Sequence, residues 1–545
     1  MPWLRLEPAP ALLAPQHNSL PALTSTLPMA RRQYVSFLGE RHRDIAFSER
    51  GPDPTRWVLL TMAVTAVAIS VWWFGFRDVD RVVATERVLN DTTVPTLLTP
   101  TAIESSGAEP ADVRLDCPTL VEEWTMFQGG VERTSCLSTL QITDPEIIWS
   151  AEIGLSGWRN NPVVEDGAVF VGSAGVVQFT GDRRDGIYSL DLRTGTQRWL
   201  YTTELDVNSV AVSNGTVVGV GDEGRVWALS ARDGTLLWTD DLGVGVLGDP
   251  LFLKDENGED VVVVGDLNGV ITAYNVQDEG ARRWGAAAPR LNGAIRGGVS
   301  SDGEHIYAAS EFGDVIALNL SGQTVWRIEN LEERPGAGRA GVSTAPTVAG
   351  SMLILGIVRD GLTSDPALRA LDLETGEEIW ASEDIASLKP NQWSNMRSSP
   401  AIAGDYVVFG AGYGNELVVV DRLQGDTLWS VEIGADCFPH WPSPVINNGT
   451  DAEGNDVSIA YLARHDGGLY AVNLQTREEV WRVYLGDDAG NGAFPLEHAE
   501  SGFCNWGPEN GASILGSPAV APNGMIVVGT LGGHIMAVGD SGWDI

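Results

Sequence analysis

The chain has 545 residues, of which 43% are hydrophobic, so it can bury a sizeable core as one large repeat domain or as several ordinary ones. Its formal net charge of -38 repels phosphate backbones and anionic lipid surfaces, which argues against nucleic acid as a partner. Lys254 and Lys389 are the only lysines, so arginine carries nearly all of the positive charge.

Residues 1–56 open on a Pro-rich stretch without periodicity and read as a mostly disordered segment, in which Met29 is an alternative start. The run Trp57–Phe76 (WVLLTMAVTAVAISVWWFGF) carries no charge and is long enough to cross a hydrocarbon core of about 30 Å as one helix. Arg31, Arg32, Arg41, Arg43, Arg50 and Arg56 precede it, and the positive-inside bias keeps that side in the cytoplasm. A cleaved signal peptide is the rival reading. The long extension, the length of the run and the lack of a clear A-x-A site favour an uncleaved signal anchor. The expectation is a single-pass protein of the inner (cytoplasmic) membrane, with its C-terminal part in the periplasm or extracytoplasmic space. Residues 77–121, rich in Thr, Pro, Ala, Asp and Glu, read as a stalk.

From residue 122 to 545 the chain repeats. Trp149, Trp199, Trp238, Trp284, Trp326, Trp380, Trp429 and Trp481 each close a unit, and a spacing of this size marks a propeller or solenoid array. The fifth unit displays the pattern: a first strand near VSTAPTVAG, a second in SMLILGI, a third in ALRALD, a Glu-Thr-Gly turn at 374–376, and a fourth in EEIWASE. Short apolar alternation punctuated by Gly, Asn, Asp and Pro predicts antiparallel meanders, and no long helical period interrupts them. The last unit has three strands, in SILGSPAV, GMIVVGT and GGHIMAV, and PEIIWSAEIG (145–154) is a lone fourth-type strand at the start of the array. Joining them closes a ring without a long free edge. The predicted fold is therefore all-β: an eight-bladed β-propeller of four-stranded antiparallel blades, closed by an N-terminal strand and preceded by one transmembrane helix.

The A-L-D-x-x-T-G-x-x-x-W outline resembles the pyrroloquinoline-quinone (PQQ) propeller repeat, and EEWTMFQGGVERTSC (122–136) is similar to the W-x-M-F-x-G lead-in of such propellers. Eight-bladed rings of this type occur in quinoprotein alcohol dehydrogenases and in a non-enzymatic outer-membrane assembly scaffold, so the likeness implies the fold more narrowly than the activity. It implies that the repeat tryptophans form a structural belt, each packed on the turn of a neighbouring blade. Gly195, Gly234, Gly376 and Gly425 would supply positive φ at those turns, and Asp191, Asp372 and Asp421 would bond the turn amides.

Two sharper motifs are read as structural. Gly219, Gly221 and Gly224 spell G-x-G-x-x-G, but between two predicted strands, with no helix to present to a pyrophosphate. Asp255, Asn257 and Asp260 have a spacing that could ligate calcium, yet they suit a tight hairpin better.

The links after Trp199 and Trp238 are short, whereas those at 330–341, 384–397, 433–441 and 487–512 are long, and long loops on a rigid scaffold are where binding lives. They carry Trp393, Asn395 and Arg397, then Phe438, His440 and Trp441, then Phe494, His498, Phe503 and Trp506. Of these, Trp393, Arg397, Phe438, His440, Trp441, His498 and Trp506 are the predicted binding face, because aromatics beside arginine suit a protein interface. Cys437 and Cys504 fall in adjacent loops of that face, where a bridge would tie two blades, and Cys117 with Cys136 would pin the lead-in. A PQQ-dependent dehydrogenase would need a catalytic carboxylate, a calcium site and a stacking aromatic, and commonly adjacent cysteines. The chain has no adjacent cysteines, no haem motif and no such carboxylate set that can be placed. The expected function is a non-catalytic scaffold that binds other cell-envelope proteins, without a cofactor, and touches the membrane through its own helix. The alternative is a PQQ- and calcium-dependent dehydrogenase of alcohols or sugars.

Overall fold

The computed structural model describes residues 115–117, 123–156, 160–284, 289–331, 340–359, 368–382, 396–410, 416–433, 442–450, 454–486 and 513–540. The span Trp57–Phe76 and the stalk lie outside them. The described residues form eight antiparallel sheets that follow one another along the chain. These are the eight blades of a β-propeller, numbered 1 to 8 here.

In blade 1 the strands run in order from Val163–Glu165 through Ala168–Ala174 and Asp185–Asp191 to Gln197–Thr202. The second and third strands of the blades are packed on both faces, and this selects unbroken apolar runs such as Asp260–Gly265, DVVVVG, buried at every position. Fourth strands such as Leu236–Asp241 are half exposed, which places them at the perimeter. Blade 3 has three strands, with Arg282 bridging to Tyr274 where a fourth would run. The first segment of blade 5 is split into Ala340–Val342 and Thr347–Ala349, both paired to Met352–Arg359, rather than the single strand read from VSTAPTVAG. Blade 8 is composite: Pro145–Glu152 pairs with His534–Asp540, from Pro145 opposite Asp540 to Glu152 opposite His534.

The perimeter is fastened blade to blade. The indole Nε1 of Trp149 donates to the Leu192 carbonyl at 2.8 Å, Trp199 to Ala231 at 3.0 Å, Trp238 to Val276 at 3.2 Å, Trp326 to Leu373 at 2.9 Å and Trp380 to Arg422 at 2.9 Å. Each ring lies on the turn of the next blade. At Gly376, with φ +75°, an added Cβ would stand 2.8 Å from the Trp326 ring, so the turn needs glycine for both its conformation and its surface. The preceding Asp372 accepts from the amides of Glu374 and Thr375, and Asp191 and Asp421 cap their own turns in the same manner. Two joints differ. Blade 7 puts Arg477 at the glycine position, at φ +63°, with its guanidinium 5.9 Å from the Trp429 ring centre. Blade 8 has no continuous turn, and Trp481 donates instead to Ile142 of the incoming chain at 2.9 Å.

The hub is fastened twice. Toward one face, side chains at or just before the first strands of seven blades link one blade to another around the hub. The Ala345 amide donates to Ser399 Oγ, the Ser399 amide to Ser443 Oγ, the Ser443 amide to Ser517 Oγ, and the Ser517 amide to Asn161 Oδ1, all within 2.7–3.0 Å. Asn161 and Ser209 both donate to Asp249 Oδ1. Because first strands from successive blades meet in this way, they converge on the ring axis. Three residues further along them runs the lead-in. The carbonyls of Trp124, Thr125, Val131, Glu132, Thr134 and Ser135 accept from Val164, Val212, Ser301, Val348, Ile402 and Ile446, one in each of blades 1, 2, 4, 5, 6 and 7. Its Cys136–Leu137 segment then pairs in parallel with blade 7, and Cys136 is disulfide-bonded to Cys117. Arg133, fully buried, donates to the carbonyls of Phe127 at 2.6 Å, Pro250 at 3.0 Å and Val299 at 3.2 Å. Burial pulls its pKa down to about 10 against the opposing pull of Asp249, so it remains charged at neutral pH.

Candidate binding face

The lead-in occupies the face that carries the hairpins between first and second strands and the Thr-Gly-type turns. The opposite face carries the hairpins between second and third strands and the connections from one blade to the next. Its two halves are unequal: the connection after Gln197–Thr202 is four residues long, while the one after Glu478–Tyr484 runs to Ala519–Val520.

Among the residues picked from the sequence as a binding face, Arg397 is half-buried, next to the buried Met396, whose amide donates to the Ile357 carbonyl at 3.2 Å. Trp393, Asn395, Phe438, His440, Trp441, Phe494, His498, Phe503 and Trp506 lie outside the described residues, as do Cys437 and Cys504. The roots of two of these connections are held by a hairpin that sequence reading passed over. Arg464, 1% exposed, donates to the Ile433 carbonyl where one connection begins, and the Arg464 and His465 carbonyls accept from Ile514 and Ser513 where another ends. His465 is buried, and burial followed by the adjacent Arg464 charge pulls it down to about 3, so it is neutral. Tyr470 donates to Asp466 at 2.7 Å and completes the anchor.

The motifs set aside as structural have structural positions. Gly219 and Gly221 lie in the strand Thr216–Gly221, and Gly224 makes the next hairpin at φ +85°. Asp255 caps the hairpin at 255–259 by accepting from Asn257 and Glu259, and it pairs with Arg283 at 2.8 Å. Asp260 pairs with Lys254 at 2.5 Å. Among the described residues no group of three His, Cys, Asp or Glu side chains could hold a metal ion.

The described half of the open face contains a cleft between blades 1 and 2, with a cavity of about 320 Å³. Glu204, Asp206, Asp222 and Glu223 line it beside Arg225 and Trp227. Asp206 is 1% exposed; its Oδ2 accepts from the Phe179 amide at 2.9 Å. Asp222 is 8% exposed; its Oδ1 accepts from Asn208 Nδ2 at 2.6 Å. Asp206 Oδ1, Asp222 Oδ2 and Oδ1 of the neighbouring Asp185 have no hydrogen-bond partner among the described residues. Burial first, then the other carboxylates, raises Asp206 to about 8, and burial raises Asp185 and Asp222 to about 6. The sequence carries a weak signal for this cleft: Asp206 and Asp222 fall in links and hairpins, outside the repeat outline that Asp191 and Asp372 obey.

Two overlapping stretches, residues 134–290 and 267–437, match the family model described as outer membrane protein assembly factor BamB. The outer membrane protein assembly factor BamB of Shewanella oneidensis is 26% identical over 321 residues, which span 55% of this chain and 74% of that protein. Among solved structures, BamB from Moraxella catarrhalis superposes with a TM-score of 0.50 at 18% identity, covering 72% of this chain and 99% of the other. A europium-containing methanol dehydrogenase superposes with a TM-score of 0.54 at 15% identity, covering 77% and 99%. At those identities the structural likeness speaks for the propeller alone.

Proposed function

The chain belongs to the family of the outer membrane protein assembly factor BamB, and from that premise we propose that it is a non-catalytic protein-binding scaffold of the cell envelope. It is held to the inner membrane by the apolar run Trp57–Phe76, with the propeller exported and its partners other envelope proteins. The observation that carries this reading is the division of labour between the faces. The repeating Trp, Gly and Asp residues are spent on joining blades, and the lead-in crosses one face from blade to blade. The long connections that do not repeat leave from the other face, on a rigid frame, where binding residues can vary without disturbing the ring. Trp393, Arg397, Phe438, His440, Trp441, His498 and Trp506 are its contact residues.

The test is site-specific photo-crosslinking from positions 441 and 506 in intact cells. A defined envelope protein should be trapped at both, and alanine at the neighbouring aromatics should abolish it. Stoichiometric binding of PQQ with calcium to the full chain, together with dye-linked oxidation of an alcohol, would overturn the scaffold reading in favour of a dehydrogenase.

A further inference from the structure

We infer that the cleft between blades 1 and 2 is a receptor for a single cationic side chain, an arginine presented by an extended segment of a partner protein. This rests on the scaffold reading and adds to it a second contact point, away from the long connections. Three observations carry it. First, the cavity lining sets four carboxylates, Glu204, Asp206, Asp222 and Glu223, against one cation, Arg225, whose own guanidinium stands 3.7 Å from Asp241. Second, two of those carboxylates are more than nine-tenths buried and each keeps one oxygen without a hydrogen-bond partner, although a buried acceptor left unpaired costs about 1–3 kcal/mol. A buried acceptor of this kind calls for a further partner. Third, the Trp227 indole forms part of the wall, and a planar cation over an indole gains from the negative face of the ring.

The size of the site selects among cations. A cavity of about 320 Å³ is far larger than a metal ion requires, and no three carboxylates among the described residues converge on one point. A guanidinium offers five donors in a plane, can reach two separated carboxylates at once, and needs less desolvation than an ammonium. What flanks it is apolar. The hairpin at 175–184, which touches Asp206 through the Phe179 amide, exposes Val176 and Val177, each to 57%. Phe179 sits at φ +63°, a conformation that costs a bulky residue energy and is kept where a loop is over-determined. A segment with an arginine between apolar residues fits both surfaces.

Binding is coupled to protons. Asp206 faces Asp185 and Asp222 across the blade junction, Asp182 and Arg184 lie on the hairpin, and Glu223 and Arg225 stand at the rim. In the empty cleft Asp206 keeps its proton to about pH 8, and a guanidinium favours the ionised form, so affinity rises as the pH is raised from 6 to 8.

The experiment is titration calorimetry on the full-length protein in detergent. It uses two blocked tripeptides, Val-Arg-Val and its citrulline counterpart, which keeps the shape and loses the charge. The arginine peptide should bind at least tenfold more tightly, more so at pH 8 than at pH 6. The double substitution Asp206→Asn with Asp222→Asn should remove the preference, while Glu256→Gln on blade 3 should keep it. Equal affinities for the two peptides, or a preference that survives in the double variant, overturns the site. Should the double variant not fold, the peptide pair on the unaltered protein still decides. A partner trapped from position 441 with no arginine preference would remove this site and leave the scaffold reading intact.

Discussion

The two faces of the ring solve opposite problems. On the lead-in face one extended segment meets blade after blade through backbone bonds, and Arg133 uses its charge on three carbonyls at the hub. On the other face buried carboxyl groups are left partly bonded: Asp206, Asp222 and Asp185 each hold an oxygen that nothing among the described residues meets. Burial costs a charge about the same wherever it sits. A fully bonded buried charge makes a joint, whereas a partly bonded carboxyl group is left open to a further partner.

If that contrast is right, the lead-in face should be the more sensitive to single changes. Arg133→Met should have the largest effect, about 3–5 kcal/mol, because it leaves the Phe127, Pro250 and Val299 carbonyls buried and unpaired. Chemical denaturation would read it, and a loss below about 1 kcal/mol would mean that the hub tolerates orphaned acceptors as the open face does. Next, Cys117→Ser with Cys136→Ser should cost about 3 kcal/mol, the value for a loop of this length. The loss should appear in limited proteolysis as early cleavage around residue 117. At the perimeter, Gly376→Ala should cost about 2 kcal/mol through the left-handed backbone and the push against Trp326, read as a lower Tm. The smallest effect is expected at the odd joint. Arg477→Gly relieves about 1 kcal/mol of backbone strain and loses about as much from the cation over Trp429, so stability should stay within about 0.5 kcal/mol. A clear gain in stability would show that the cation contributes little there.

The same division decides what was legible in the sequence. The blades could be read because each repeats one physical problem, an indole laid on a left-handed turn, and Trp380 with Asp421 and Gly425 solves it with the same letters as Trp326 with Asp372 and Gly376. The closure could be read because an unpaired strand is conspicuous at each end of the array. Arg133 could not, since a single buried arginine in a non-repeating segment resembles a surface one until the carbonyls around it are known. Trp227 was passed over because its place in a third strand is outside the belt, and Asp206 and Asp222 because acidic residues in links usually face water. The Arg464–Asp466 hairpin escaped for a similar reason: three polar letters in a turn announce exposure, yet they are almost wholly buried.

The composite blade carries a consequence for the order of events in the life of the chain. Pro145 and Asp540 are opposite each other, at nearly the two ends of the propeller. Until the last residues are available, Pro145–Glu152 has no partner strand, and seven blades stand as an open arc whose two end sheets leave a face uncovered. Contacts of such long separation form late and slowly, and an arc that waits is exposed to aggregation for as long as it waits. Once Pro145–Glu152 is paired, loss of either end opens the same junction, so the ring should resist fraying from both termini as a single kinetic unit.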